Sequence, residues 1–227
     1  MNDLSANLEK INARIAAACR AAGRDPAEVA LLAVSKAQPA AAVRRLHAAG
    51  QLSFGENYVR EALAKQSQLQ DLDIEWHFIG PIQSNKTSGI AAAFHWVQSV
   101  DRAKVLQRLS AQRPGSLPAL NVCLQVNIDR EQQKAGALPE EVPGLAELAL
   151  GLPRLRLRGL MAIPRLADEA SGMLPSFIAM QRLFGRLRAA GMDLDTLSIG
   201  MSGDFEQAIR AGSTMVRIGT GLFGGRG

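Results

Sequence analysis

The strongest constraint on this chain is an alternation. Eight short apolar runs lie near residues 30–36, 52–57, 74–80, 95–100, 119–128, 155–163, 196–200 and 214–219, with a helix-patterned segment between successive ones. Such runs, bounded by turn residues, read as strands buried on both faces, and the amphipathic segments read as the crossover helices that parallel strands require. Eight strands within 227 residues is the count that closes a parallel (β/α)8 barrel. The alternative is an open doubly wound sheet; no Gly-x-Gly-x-x-Gly follows the first strand, which favours the barrel. The linker candidate at 114–118 is too short to separate domains, so one domain over residues 1–227 is expected.

Ahead of the alternation, Leu4, Leu8, Ile11, Ile15 and Cys19 recur at helical spacing, with Asn7, Lys10 and Arg14 on the opposite face. This predicts an extra amphipathic helix over 3–22 that packs on something larger. Asp25, Pro26 and Glu28 read as the N-cap, first-turn proline and capping-box acid of a very short helix. A further helix over 176–190 places Phe177, Met180, Phe184 and Leu187 on one stripe, with Gly191 as its stop. The polar loop 128–138, IDREQQKAGAL, reads as mobile.

Composition removes several function classes. No run of about 18 apolar residues exists, and the N-terminus MNDLSANLEK carries acids where a signal needs bases, so neither membrane span nor secretory signal is expected. A cytoplasmic protein follows from that reading. Cys19 and Cys123 are too few and too far apart for a zinc site or disulfide framework, and are expected to fill core positions. The net charge of +5 comes from dispersed bases, with only 4% aromatics for stacking. That pattern argues against nucleic acid and suits a small anionic ligand such as a phosphate.

In a (β/α)8 barrel the site lies at the C-terminal ends of the strands. The first, in LLAVSKAQP, exits at Lys36, whose ammonium either stays at the solvent boundary or turns into a cavity and serves as a nucleophile. Asn57 ends the second and reads as pocket wall or helix cap; His77 on the third reads as ligand or hydrogen-bonded core histidine. Asn127 and Met161 to Ile163 are further candidate walls. GMSGD and MVRIGTG place Ser202, Gly219 and Thr220 after strands seven and eight, where barrels commonly hold phosphate on backbone N–H groups and hydroxyls. Met215, Arg217 and Gly219 share one face of strand eight; Arg217 either enters the mouth or is a solvated edge charge. No Ser/His/Asp, Cys/His, paired-acid or metal-ligand set is evident, which leaves hydrolase and metal chemistry without support.

Taken together and in order, AVSKAQP, FGENYVRE, WHFIGPIQSNK, RGLMAI, GMSGDFEQAI and GSTMVRIGTGLFG resemble the pyridoxal phosphate homeostasis proteins, single-barrel relatives of the alanine racemase N-terminal domain, from about Leu31 to Gly224. The resemblance implies a (β/α)8 TIM-type barrel of fold type III with pyridoxal 5′-phosphate (PLP) held as a Schiff base on Lys36. It also implies phosphate contacts from Ser202, Gly219 and Thr220, with Arg217 facing the ring nitrogen or the phosphate and Asn57, His77 and Met201 nearby. This sequence has Ser-Gly-Asp at 202–204 where many relatives have two acids or an alanine before Asp204, and Ser-Ile-Gly at 198–200 where a methionine is common. The loop with Lys134 and Gly136 also resembles the family and is expected to cover the mouth.

The function so implied is a PLP carrier or reservoir in vitamin B6 homeostasis, without turnover, with apo PLP-dependent enzymes as recipients and a monomer or weak dimer as its state. The alternative is a racemase-like PLP enzyme. Racemization needs an acid/base opposite the lysine, supplied in alanine racemase by a tyrosine on a separate β domain of a partner subunit. Here the sole tyrosine is Tyr58, on an early strand-to-helix turn, and the chain stops after strand eight. An arginine at the ring nitrogen also gives a poor electron sink. A barrel that binds sugar phosphate without cofactor would leave Lys36 unexplained.

Overall fold

The structure, a computed structural model, describes residues 3–164 and 175–224; the end of the GTGLFGGRG tail lies outside these. Eight parallel strands close a barrel in the order β1 to β8: Ala30–Val34, Ser53–Glu56, Glu75–Phe78, Trp96–Val100, Leu120–Gln125, Leu155–Met161, Thr196–Ser198 and Met215–Ile218. Helix α1 (Leu4–Ala21) precedes them. Following successive strands are α2 (Ala40–Ala48), α3 (Val59–Gln68), α4 (Thr87–Ala93), α5 (Ala103–Gln112), α6 (Val142–Gly151), α7 (Pro175–Ala189), α8 (Phe205–Arg210) and α9 (Thr220–Phe223).

The main core lies between the outer barrel face and the helices. Ala33, Phe54, Phe78, Val97, Val122, Leu160 and Val216 point outward from the strands and pack with stripes such as Val43/Leu46 and Phe177/Met180 in one cluster. Fully burying a side chain of this kind contributes about 1.5–3 kcal/mol. Inside the barrel, Trp96, Cys123 and Met161 form a smaller cluster. Both cysteines are buried, as expected of core fillers, and burial pushes the Cys123 thiol up to about 12. The β5–β6 register shifts between Val122 and Cys123. Opposite that shift Gly159, at φ +156°, lies so close to β7 that a Cβ would stand 1.8 Å from the Thr196 carbonyl oxygen.

The N-terminal helix packs on the segments that follow β7 and β8. Asp3 caps it by accepting from Ser5 and Ala6, Asn7 Nδ2 donates to the Leu222 carbonyl at 2.8 Å, and Arg14 pairs with Glu206 at 2.5 Å. Asp25 caps the short 3-10 turn Pro26–Glu28 as expected, but Glu28 pairs with Arg24 at 3.0 Å. Loop 128–138, expected to be mobile, is tied down. Its Ala137 exchanges backbone hydrogen bonds with Gln125 and Asn127, and the Asn127 side chain bonds both the N–H and the carbonyl of Glu131. Among the described residues no helix is long and apolar enough to cross a membrane.

Candidate functional site

Lys36 stands just beyond β1. Val34 pairs with Gly55 on one side, and on the other a Cβ added to Gly219 would touch Val34 at 3.4 Å. Two residues on, past the end of β1, Lys36 lies in the turn that the Gln38 N–H closes onto the Ser35 carbonyl, at the C-terminal end of the barrel. It is half-buried, and among the described residues its ammonium has neither an ion-pair nor a hydrogen-bond partner. The turn it occupies is anchored from α3: Lys65 donates to the Ser35 carbonyl at 2.6 Å and Glu61 accepts from the Ala37 N–H at 2.6 Å.

Ser202 and the Gly219–Gly221 segment meet across the ends of β7 and β8. Gly221 donates its N–H to Ser202 Oγ at 3.4 Å, and a Cβ on Gly221 would fall 3.7 Å from that oxygen. Gly200, at φ +97°, turns the chain out of β7 in a conformation that favours glycine; its Cβ would meet that of Ala208 at 2.6 Å. Asp204 Oδ1 then accepts the Met201 N–H at 2.6 Å and fixes the loop, while burial raises its carboxyl above the ordinary range. No described hydrogen bond uses the N–H of Ser202, Gly203 or Thr220. Thr220 is exposed, with Met201 and Ser202 half-buried beside it.

Arg217 enters the barrel. Only 4% exposed, it donates to the Ser198 carbonyl at 2.6 Å, to Ser198 Oγ at 2.8 Å and to the Ala162 carbonyl at 2.8 Å. No described carboxylate pairs with it, and burial holds the guanidinium down at about 10, still a cation at neutral pH. From Ser198 a directional chain of donors runs through the barrel. Ser198 Oγ donates to Gln98 Oε1 at 2.7 Å, Gln98 Nε2 to His77 Nδ1 at 2.9 Å, and His77 Nε2 to Glu75 at 2.9 Å. The chain fixes His77 as the Nε2–H tautomer, and burial lowers its pKa, so it stays neutral.

The other half of the mouth is a hollow of about 330 Å³ lined by Asn57, Ile79, Gln125, Asn127, Lys134 and Ile163. Lys134 pairs with Glu131 at 2.5 Å and reaches the Ile163 carbonyl at 3.5 Å, so the polar loop forms part of this wall. A larger groove of about 620 Å³ opens on the outer face of β3, beside Tyr58, Leu63 and Phe78. It touches none of Lys36, Ser202, Arg217 and Thr220, so we place the site at the mouth and not in the larger space.

Two expectations change. Asn57 does not cap α3: Tyr58 is the N-cap residue and makes no capping bond, while Asn57 Oδ1 is buried without a partner at the pocket wall. His77 is fully buried, stacked on Trp96 at 5.1 Å, with both ring nitrogens engaged. Of its two sequence readings, the structure shows the hydrogen-bonded core histidine, a link in the barrel's hydrogen-bond chain. Sequence reasoning missed the buried group behind Lys36. Glu56 Oε1 accepts from Ser35 Oγ at 2.6 Å and pairs with Lys65 at 2.5 Å, and Lys65 also pairs with Glu61 at 2.9 Å. Burial raises the Glu56 carboxyl, with Lys65 and Ser35 opposing. The i,i+4 spacing of Glu61 and Lys65 was the one available signal.

The residues present fit pyridoxal 5′-phosphate. Toward the C-terminal ends of the strands lie, among the described residues, an unengaged amine, a buried guanidinium without a carboxylate partner, an orphaned amide oxygen and a close-packed glycine segment. Comparison with known proteins agrees. Residues 6–227 match the family model for the alanine racemase N-terminal domain. The pyridoxal phosphate homeostasis protein of Pseudomonas aeruginosa is 58% identical over 226 residues, all of this chain and 97% of that protein. The structure of PipY from Synechococcus elongatus with PLP bound superposes with a TM-score of 0.82 at 36% identity, covering 98% of this chain and 100% of that one. Alanine racemase from Corynebacterium glutamicum, at 18% identity, TM-score 0.66, and 95% and 61% coverage, shares the fold.

Proposed function

The chain belongs to the pyridoxal phosphate homeostasis proteins, within the alanine racemase N-terminal domain family, and on that premise we propose that it holds PLP at the barrel mouth on Lys36 as a reservoir. The observation that carries this reading is the half-buried Lys36 at the exit of β1, whose ammonium has no ion-pair or hydrogen-bond partner among the described residues. When bound, the cofactor would supply an electrophilic aldehyde for the Lys36 amine to hold covalently. The remaining assignments concern this chain's own groups. Ser202, Gly219 and Thr220, with the N–H groups of 202, 203 and 220, receive the phosphate, and Met201 walls that side. Arg217 faces the ring nitrogen from below, its orientation set by Ser198 and Ala162. Asn57 offers its free Oδ1 at the rim.

Binding is favoured over turnover by two features. Arg217 keeps its protons at neutral pH, so it does not make the ring the electron sink that racemization needs. Tyr58, the sole tyrosine, is 60% exposed and lines the outer groove instead of facing Lys36. In this reading the chain works in the cytoplasm as a monomer or weak dimer and passes PLP to apo-enzymes. The test is spectroscopic. Protein titrated with PLP develops a visible band that saturates at one equivalent, and L-alanine in excess shows no sustained loss of optical activity. A colourless protein overturns the reading, and steady racemization replaces it with the racemase-like one.

A further inference from the structure

The turn that carries Lys36 is held on both sides by a buried charged cluster. Gln38 N–H donates to the Ser35 carbonyl at 3.0 Å, closing a four-residue turn with Lys36 and Ala37 at its centre. Ala37 has φ +60°, a left-handed conformation that a residue with a Cβ resists, so something outside the turn must impose it. Three contacts from β2 and α3 do so. Lys65 bonds the Ser35 carbonyl, Glu56 accepts the Ser35 hydroxyl, and Glu61 accepts the Ala37 N–H. The cluster bonds Ser35 and Ala37, the residues on either side of Lys36, and leaves the Lys36 ammonium without a partner among the described residues.

A surface lysine-carboxylate pair would need no such explanation, but this one is inside. Glu56 is 0% exposed and Lys65 5%, although both are residues that rarely enter a core. Helix α3 turns only Ala62 and Lys65 inward among its fully buried residues. Replacing such a pair with apolar groups is often neutral for stability, so burial of charge here points to a geometric role.

We propose that Glu56, Lys65 and Glu61 are positioning residues that hold the peptide groups flanking Lys36 and so aim its amine at the ligand carbonyl. The proposal rests on the reading of Lys36 as the covalent anchor. Misaiming a nucleophile slows bond formation without removing the ligand's other contacts, and that difference can be measured. The probes are PLP and pyridoxine 5′-phosphate, which carries an alcohol in place of the aldehyde and reports non-covalent binding only.

In Glu61→Ala and Lys65→Met, stopped-flow growth of the visible band should slow by about tenfold or more. Affinity for pyridoxine 5′-phosphate should stay within about twofold, and Glu61→Gln, which keeps an acceptor for Ala37, should recover most of the rate. Glu61 is partly exposed, so its variants decide the matter if Lys65→Met fails to fold. An unchanged rate in Glu61→Ala, or an equal loss for both probes, overturns the proposal while leaving Lys36 as the anchor. A wild-type chain that never develops the band overturns the anchor itself, and this proposal with it.

Discussion

Gln98→Met tests the chain of hydrogen bonds that fills the barrel. Gln98 is fully buried and spans its centre, donating to His77 Nδ1 and to the Met215 sulfur and accepting from Ser198. Methionine has nearly the same length and volume, so packing changes cost less than about 1.5 kcal/mol. What is lost is polar. His77 Nδ1 is left without a donor and the Ser198 hydroxyl without an acceptor, each at about 1–3 kcal/mol. The expected destabilisation is therefore about 2–6 kcal/mol, a large part of the roughly 5–15 kcal/mol available to a domain. Urea unfolding reads it as a lower midpoint at unchanged slope. Because Ser198 and Gln98 share one bond, combining Gln98→Met with Ser198→Ala should cost less than the two separately, by about 0.5–3 kcal/mol. A single-variant loss below about 1 kcal/mol, or full additivity, would refute the chain as a source of stability.

Gly80→Ala should destabilise by about 1–3 kcal/mol or more and weaken PLP binding, because its Cβ would lie 2.0 Å from the Asn57 carbonyl oxygen, whereas Gly144→Ala meets nothing within 4 Å and serves as control. Hydrogen bonds led by that from His77 hold the Glu75 carboxyl down at about 2, against an ordinary 4.5. A lowered carboxylate contributes stability above its unfolded value that is lost as pH falls through the folded one, so the wild type should lose stability between about pH 4.5 and 2. Glu75→Gln should flatten that decline in acid-unfolding curves. Arg113→Ala should cost about 2–4 kcal/mol by denaturant unfolding, since its buried guanidinium donates to the carbonyls of Ala91, Phe94 and Pro118.

The barrel was legible because every strand is a short apolar run between helical stripes, a local signal that needs no knowledge of tertiary contacts. The position of Lys36, Ser202, Gly219 and Thr220 was legible for a related reason: strand count places their segments at one end of the barrel. The parity of β8 also set out the interior option for Arg217, and the carbonyls of Ser198 and Ala162 show that it is the one taken. The polar interior was not legible. Gln98 and Ser198 sit in runs that read simply as buried strand, and only closure of the barrel brings residues 100 positions apart to 2.7 Å. Lys65 was missed for the opposite reason, since on a polar helix a lysine reads as solvated until α3 is laid against β2. Asn57 read as a cap because asparagine commonly caps, yet the chain turns one residue later, at Tyr58.

The central claim is that Lys36 is the covalent anchor, and peptide mapping tests it most directly. Protein saturated with PLP, reduced with borohydride and digested should carry the reduced cofactor's added mass on the peptide containing Lys36. Lys36→Ala should lose that label there while still binding pyridoxine 5′-phosphate. A label found in the wild type on Lys134 or another lysine, with the Lys36 peptide unmodified, would contradict the account.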